Sequence, residues 1–163
     1  MIKPKIVTIG IYGFNAQHFF QTLQNAHIDT LCDLRDRRGV RGSDYTFANS
    51  KRLQQHLAEL NIRYLHLKQL APSKETREIQ YQEDKQTKTA KRKRSKLAEA
   101  YQEAYQHNYL YHLNAEEVVR EMGEEAKVIG LLCVERDPEA CHRSLVAAWL
   151  QQEIGLVVEN ITP

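Results

Sequence analysis

Four side chains that can do chemistry lie close together, directly after the most apolar stretch of the chain. Glu135, Cys141, His142 and Arg143 follow the continuous apolar run 128–134. Cys141 is a candidate nucleophile, because the amino end of a helix and neighbouring cationic groups favour the thiolate. Glu135 and His142 are candidate proton donors and acceptors at the end of a buried strand. We therefore predict Glu135, Cys141 and His142 as catalytic residues.

Each of these residues also has a structural interpretation. Cys141 stands at helical spacing with Leu145 and can pack in the core, as free cysteines often do. Glu135 can be the ion-pair partner of Arg35. His142 can be a hydrogen-bonded group at the surface or in the core. The chemical prediction therefore rests on the cluster and not on any one residue.

Arginines and glycines at the ends of the predicted strands indicate an anion-binding site. The guanidinium groups of Arg35 and Arg143 fit phosphate and carboxylate in shape and charge. For both residues the alternative is an internal salt bridge with Asp33 or Glu135. The turn after the first strand and the loop after the second complete the predicted anion- or substrate-binding set, with Gly10, Tyr12, Arg37, Arg38 and Arg41.

The three cysteines, Cys32, Cys133 and Cys141, show no repeated short spacing, so we predict no disulfide framework. Cys32 and Cys133 lie in apolar runs and are predicted to be core residues with inert thiols. A zinc site of Cys133, Cys141 and His142 agrees in residue type, but the gap between the cysteines matches no short zinc knuckle. We therefore expect no metal and no cofactor.

The elements that position these residues alternate between strands and helices. Apolar runs predict strands within 6–9, 28–34, 62–67, 128–134 and 156–161. This alternation predicts an α/β fold with a doubly wound, mainly parallel sheet of about five strands and helices on both faces. The simplest strand order is 3-2-1-4-5, which brings the strand ends at Gly10, Arg35 and Glu135 to one edge.

Two helices after the middle of the chain are predicted from capping residues and spacing. Asp137, followed by Pro138, is a candidate N-cap for the helix after the fourth strand. Apolar residues at helical spacing from Leu97 predict one long helix that continues to about Met122, where Gly123 can end it.

The segment 71–96 has few aliphatic residues and interrupts the alternating pattern. We predict a basic helical or mobile insertion within a single domain that spans 1–163. Its positive charges should repel those of the loop with Arg37, Arg38 and Arg41, so we expect disorder without a ligand and closure as a lid over a bound polyanion. The basic tract consists of Lys85, Lys88, Lys91, Arg92, Lys93, Arg94 and Lys96.

Length, charge and apolar content indicate which class of protein the chain belongs to. The chain has 163 residues and a formal net charge of +2, with 42% hydrophobic residues. These values suit one globular domain, and no apolar run approaches the roughly 18 residues of a membrane helix. We expect a cytoplasmic protein without a membrane partner. No heptad pattern or exposed apolar stripe indicates a partner subunit, so the oligomeric state is left open.

Several short motifs resemble a known family, the domain-of-unknown-function family 488. The most specific is the Cys-His-Arg signature at 141–143, which follows a glutamate at the end of a strand. The resemblance implies an α/β fold with a parallel sheet and a polar site built from the motifs, and it implies no reaction. The chain departs from the family at Ile11-Tyr12, at 36–41 and at Ala71-Pro72. The matching stretches are 8–10, 33–35, 62–67, 132–135, 137–138 and 141–143.

Two functions follow from these residues. The first is an enzyme, a hydrolase or transferase, that acts on a phosphate-containing ligand such as a nucleotide or nucleic acid. The second is a non-enzymatic nucleic-acid-binding module that grips phosphates with the loop 35–41 and the tract 85–96.

Overall fold

The computed structural model describes residues 3–90 and 93–163. The predicted Lys91 and Arg92 of the basic tract lie outside the described residues. The strands are β1 (Lys5–Ile9), β2 (Thr30–Asp33), β3 (Arg63–His66), β4 (Val128–Leu132) and β5 (Val158–Ile161). The helices are α1 (Ala16–Asn25), α2 (Ser50–Glu59), α3 (Lys74–Gln86), α4 (Glu99–Asn108), α5 (Ala115–Met122) and α6 (Arg143–Ile154).

The five strands form one sheet in the order β3-β2-β4-β1-β5, and every pairing is parallel. The predicted α/β fold is confirmed, but β4 lies between β2 and β1 and not outside β1. A carboxylate explains this placement. Asp29, just before β2, accepts hydrogen bonds from the backbone N–H groups of Lys127 and Val128 at 2.8 and 3.0 Å, which holds the start of β4 beside β2.

Each face of the sheet carries its own hydrophobic core. On one face β-strand side chains pack with α1 and α2, where Phe19, Leu23 and Leu53 are fully buried. On the other face the core contains residues of α4, α5 and α6, including Tyr105 and Leu150. The sheet is therefore covered on both sides, as predicted for continuous apolar strands.

The long helix predicted from Leu97 to Met122 is two helices. α4 ends at Asn108, a short 3₁₀ turn covers Leu110–His112, and α5 begins after Asn114, whose side chain accepts the N–H of Glu117. An asparagine at this position competes for backbone hydrogen bonds and starts a new helix. Gly123 follows α5 as predicted, with φ at 143°.

Much of the segment 71–96 is an ordered helical arm in this structure. Ser73 caps α3 by accepting the N–H of Thr76, and both Thr76 and Gln80 are buried. The Gln80 side chain also accepts the N–H of Ala98 just before α4 at 2.8 Å. α3 is thus attached to α4 by polar contacts.

None of the helices in the described ranges 3–90 and 93–163 has both the length and the apolar character that a membrane crossing needs.

Candidate functional site

A cavity of about 730 Å³ lies where the carboxyl ends of β2 and β4 meet the arm of α3. Seven of the ten predicted site residues line it, and Gly10, Arg38 and Arg143 do not. The seven are Tyr12, Arg35, Arg37, Arg41, Glu135, Cys141 and His142. The volume lies within the usual range of about 300–1,000 Å³ for small-molecule pockets.

Gly10 allows the backbone after β1 to touch the turn after β4. A Cβ atom at this position would lie 1.9 Å from the carbonyl oxygen of Glu135. The next two N–H groups, of Ile11 and Tyr12, both donate to the carbonyl of Val134 at 3.0 Å. Gly10 therefore positions the β4 turn by close approach and does not line the cavity, and its role in anion binding stays a prediction.

Arg143 holds the same turn from the core. Its side chain is fully buried, and its Nη1 and Nη2 atoms donate to the carbonyls of Glu135 and Arg136 at 2.7 and 3.1 Å. Burial lowers the pKa of the guanidinium to about 10, against the opposing effect of Glu135 and other acidic groups. Arg143 is thus charged at neutral pH and donates to backbone carbonyls outside the cavity lining, and its ligand contact stays a prediction.

Arg35 lies in the cavity wall, paired with Asp33 behind it. The Nε and Nη2 atoms of Arg35 donate to the two carboxylate oxygens of Asp33 at 2.8 Å each, and the Tyr64 hydroxyl donates to Asp33 at 2.6 Å. This is the salt bridge given above as the alternative for Arg35. The Nη1 atom of Arg35 is buried and has no hydrogen-bond partner among the described residues. The Arg35 side chain, which lines the cavity, therefore keeps a donor atom, Nη1, that no group in the described ranges accepts from.

The Asp33 network also changes the acidity of its neighbours. Burial, and next the negative charge of Asp33, raises the pKa of Tyr64 to about 12. The pKa of Arg38 is raised mainly by its contact with the Tyr64 hydroxyl, which lies 3.5 Å from Arg38 Nη1. Arg38 therefore faces β3, and its predicted role at the ligand site stays untested.

Arg94 is a site residue that the sequence reasoning did not single out. It lies only 8% exposed, between two carboxylates, with Nη1 donating to Glu135 at 3.3 Å and Nη2 paired with Asp84 at the end of α3. The basic tract contained it, but nothing local distinguished it from six other cations. Its partner Asp84 lies ten residues earlier in the chain. That short separation is the sequence feature that could have predicted the ion pair.

The remaining cations of the cavity come from two separate segments. Arg37 and Arg41 of the loop after β2 are exposed at the cavity, and Lys93, which follows α3 in the chain, is exposed there too. Arg77 on α3 pairs with Asp36 at 3.2 Å. Arg37 and Lys93 form no ion pair with any residue in the described ranges. Among the residues that the structure describes, six cationic and two acidic side chains therefore line the cavity.

Aromatic side chains form part of the same wall. Tyr12 packs edge-on against Tyr45, with ring centroids 5.3 Å apart, and Tyr81 of α3 is 40% exposed. Tyr101 is buried beneath them, and its burial, followed by the charge of Glu135, raises its pKa well above 10. The rings of Tyr12 and Tyr81 are available for contact with a planar ligand. Tyr101 lines the cavity from below as an uncharged side chain.

Cys133 and Cys141 form a disulfide bond in the cavity wall, against the prediction of three unpaired thiols. β4 ends at Leu132, and the chain then turns through a 3₁₀ segment, Pro138–Ala140, before α6 begins at Arg143. Asp137 stands before this short segment and makes no side-chain cap. Because the turn folds back, two cysteines that are far apart in an extended chain meet, and Cys141 precedes α6 instead of packing along it.

His142 lies against this cysteine pair. Its Nε2 atom is 2.9 Å from the carbonyl oxygen of Leu34, which can only accept, so Nε2 carries the proton. Its Nδ1 atom lies 3.4 Å from Cys133 Sγ and 3.8 Å from Cys141 Sγ. The prediction that Cys32 is an inert core residue agrees with the structure, since it is fully buried and burial raises the pKa of its thiol to about 12.

Most of the chain matches the model of a known family. The model of a family described as Domain of unknown function DUF488 matches residues 15–150. The matched region contains β2, β3 and β4 and most residues of the cavity. Comparison with curated proteins and with solved structures gives no match.

Proposed function

Since the chain belongs to the Domain of unknown function DUF488 family, whose description assigns no reaction, we propose a function from the cavity itself. The chain binds a phosphate-bearing ligand of nucleotide size and acts on it as a hydrolase or transferase. One observation carries this proposal. Cationic side chains from two segments far apart in the sequence, 35–41 and 77–94, line one cavity.

The cations divide into fixed and available groups. Arg94 and Arg77 are held by carboxylates, and Arg35 is held by Asp33 with one donor to spare. Arg37 and Lys93 are exposed and line the cavity with charges that no carboxylate in the described ranges pairs. A phosphate group between them would accept several charge-assisted hydrogen bonds, each stronger than a neutral one.

Glu135 is the group proposed for proton transfer. It is 6% exposed, lines the cavity and is held by Arg94, so its position is defined. His142 is less suited to that task, because Nε2 donates to the Leu34 carbonyl and Nδ1 faces the sulfur atoms. The rings of Tyr12 and Tyr81 are proposed to contact the base of a nucleotide.

The test is ligand binding by isothermal titration calorimetry with nucleoside mono- and triphosphates and with inorganic pyrophosphate. We expect Arg37→Gln to weaken binding about fivefold, since an exposed charge-assisted contact is worth about 1 kcal/mol. Arg120→Gln is the matched control, because Arg120 is an exposed arginine of α5 outside the cavity lining. Equal affinities for the two variants, or no binding by the unaltered protein, would contradict the proposal.

A nucleic-acid ligand is the second candidate, favoured by the exposure of Arg37, Arg41 and Lys93 at one cavity. The salt dependence of binding to single-stranded DNA and RNA distinguishes it. A strand held by several phosphates gives a slope of log affinity against log salt of about −0.7 per phosphate. A nucleotide held in the cavity gives tight binding to the mononucleotide, with no gain from a longer strand.

A further inference from the structure

The cysteine pair and its histidine form a cluster that the phosphate-binding proposal does not use. The Sγ atoms of Cys133 and Cys141 and a ring nitrogen of His142 lie within 4.8 Å of one another. All three residues are at most 6% exposed, and all three line the cavity. They bring together two soft sulfur ligands and one imidazole, the ligand types that zinc prefers.

The separations within this cluster agree with a tetrahedral zinc site. Zinc–sulfur and zinc–nitrogen bonds of about 2.3 and 2.0 Å place the sulfur and nitrogen ligands about 3.5 Å apart. The distances from His142 Nδ1 to the two sulfurs are 3.4 and 3.8 Å. Only the two sulfurs, which are bonded here, must move apart to admit an ion.

The histidine is already oriented as a ligand. Its Nε2–H donates to the carbonyl oxygen of Leu34 at 2.9 Å, so the lone pair of the neutral ring is on Nδ1 and faces the sulfurs. Histidines that bind metals usually donate their other ring N–H to a carboxylate or a backbone carbonyl, which fixes the tautomer. A carboxylate is also near, because Glu135 Oε2 lies 3.8 Å from Cys133 Sγ.

From these contacts we infer that, when its two thiols are reduced, the chain binds one zinc ion through Cys133, Cys141 and His142. The fourth coordination position faces the cavity beside Glu135. Reduction by a dithiol breaks the sulfur–sulfur bond, delivers two electrons and two protons to the two sulfurs, and leaves the dithiol as its cyclic disulfide. Zinc binding then releases the two thiol protons to solvent.

The turn after β4 can hold either a disulfide bond or a zinc ion. The same backbone that Arg143 and Gly10 hold in place carries Glu135 and both cysteines, so the fold brings the ligand residues together before any ion arrives. The disulfide and the zinc complex exclude each other, because each needs both sulfurs. Zinc binding should therefore depend on the redox state of the chain.

The experiment uses the full chain, reduced with dithiothreitol and desalted without oxygen, with three titratable thiols confirmed per chain. We expect one Co²⁺ to bind with thiolate-to-cobalt charge-transfer absorption, and Zn²⁺ to displace it. The oxidised protein should show no such band. Cys141→Ser should weaken Co²⁺ binding at least about tenfold and reduce the band.

Two controls separate metal binding from folding. Cys32→Ala removes the one cysteine outside the cluster and should leave the band and its stoichiometry unchanged. Zinc should raise the melting temperature of the reduced protein and of Cys32→Ala, and not that of Cys141→Ser or His142→Gln. A reduced, folded protein without the cobalt band, or a Cys141→Ser variant that binds as tightly as the unaltered protein, would overturn the inference. The readouts involve no phosphate ligand, so the outcome is independent of the proposed function.

Discussion

Two residues, Gly10 and Arg143, determine the position of Glu135 without lining the cavity. The carbonyl oxygen of Glu135 lies 1.9 Å from the Cβ position of Gly10 and accepts a hydrogen bond from Arg143 Nη1 at 2.7 Å. Because both residues restrain this carbonyl, they also fix where the Glu135 side chain leaves the backbone. The position of Glu135 in the cavity thus depends on two residues that do not line the cavity.

The close approach at Gly10 leads to a stability prediction. In Gly10→Ala the new Cβ would lie 1.9 Å from the Glu135 oxygen, which Arg143 prevents from moving freely. We expect a loss of about 3 kcal/mol in the free energy of unfolding, at the upper end for overpacking. Urea denaturation measures this change.

Gly39→Ala is the matched control for that experiment. The nearest atom to a Cβ at Gly39 is Asn49 Oδ1 at 3.8 Å, which is ordinary contact. The control should change the free energy of unfolding by less than about 0.5 kcal/mol. If both alanine variants unfold at the same urea concentration, the close approach does not restrain the turn.

The arm formed by α3 is the element that closes the cavity. Arg94 connects the end of α3, through Asp84, to the end of β4, through Glu135. A buried cation between two carboxylates is stabilising only while all three are present, because each alone is costly to bury. The position of α3 over the cavity therefore depends on a residue that the chain reaches only after the helix has ended.

Replacement of Arg94 should loosen this arm. In Arg94→Met, Asp84 and Glu135 lose their shared cation, and breaking such a buried arrangement costs about 3–5 kcal/mol. We expect faster amide hydrogen exchange in α3, by about tenfold or more, with little change in α1 and α2 on the opposite face of the sheet.

Lys96→Met removes a positive charge two residues further on, and Lys96 is exposed. Exchange in α3 should be unchanged in this variant. Protection of α3 that is equal in the Arg94 and Lys96 variants would mean that the apolar contacts of α3, and not the ion pairs, hold the arm.

Across the whole molecule, the order of the strands brings the polar groups together. β4 pairs with both β1 and β2, so its carboxyl end is adjacent to the ends that carry Gly10 and Asp33. β3 then places Tyr64 beside Asp33, where its hydroxyl donates at 2.6 Å. This network links the edge of the sheet to the cavity wall through Arg35.

The Tyr64 network makes the stability of the fold depend on alkaline pH. The pKa of Tyr64 is about 12 in the folded chain, above the value of about 10 for an unfolded tyrosine. The folded state therefore binds the proton more tightly, so this contribution is complete below pH 10 and is lost as the pH rises through about 12.

We predict that the unaltered protein loses more stability between about pH 10 and 12 than Tyr64→Phe does, since phenylalanine has no proton to lose. At neutral pH the variant should be about 1 kcal/mol less stable, because one hydrogen bond to Asp33 is missing. Thermal unfolding followed by circular dichroism over this pH range measures both effects. Parallel stability curves for the two proteins would assign the alkaline dependence to other groups.

Local sequence determined the strands and the edge of the sheet where the charged residues meet. Continuous apolar runs predicted the strands, and the side chain of Asn15, directly before α1, caps that helix by accepting the N–H of His18 at 2.8 Å. The charged residues after β2 and β4 were predicted to meet because parallel strands end at the same edge of a sheet. These are properties of short stretches, and neighbouring residues suffice to decide them.

Tertiary structure decided which of those residues reach the cavity and which pair with one another. Arg143 is buried because it donates hydrogen bonds to the backbone carbonyls after β4. Arg94 is part of the site because it forms ion pairs with both Asp84 and Glu135. The position of β4 depended on Asp29, and the pairing of Cys133 with Cys141 depended on a turn that folds back. Each of these contacts depends on burial and hydrogen bonding between groups that are distant along the chain. The spacing of residues within a short stretch cannot predict them.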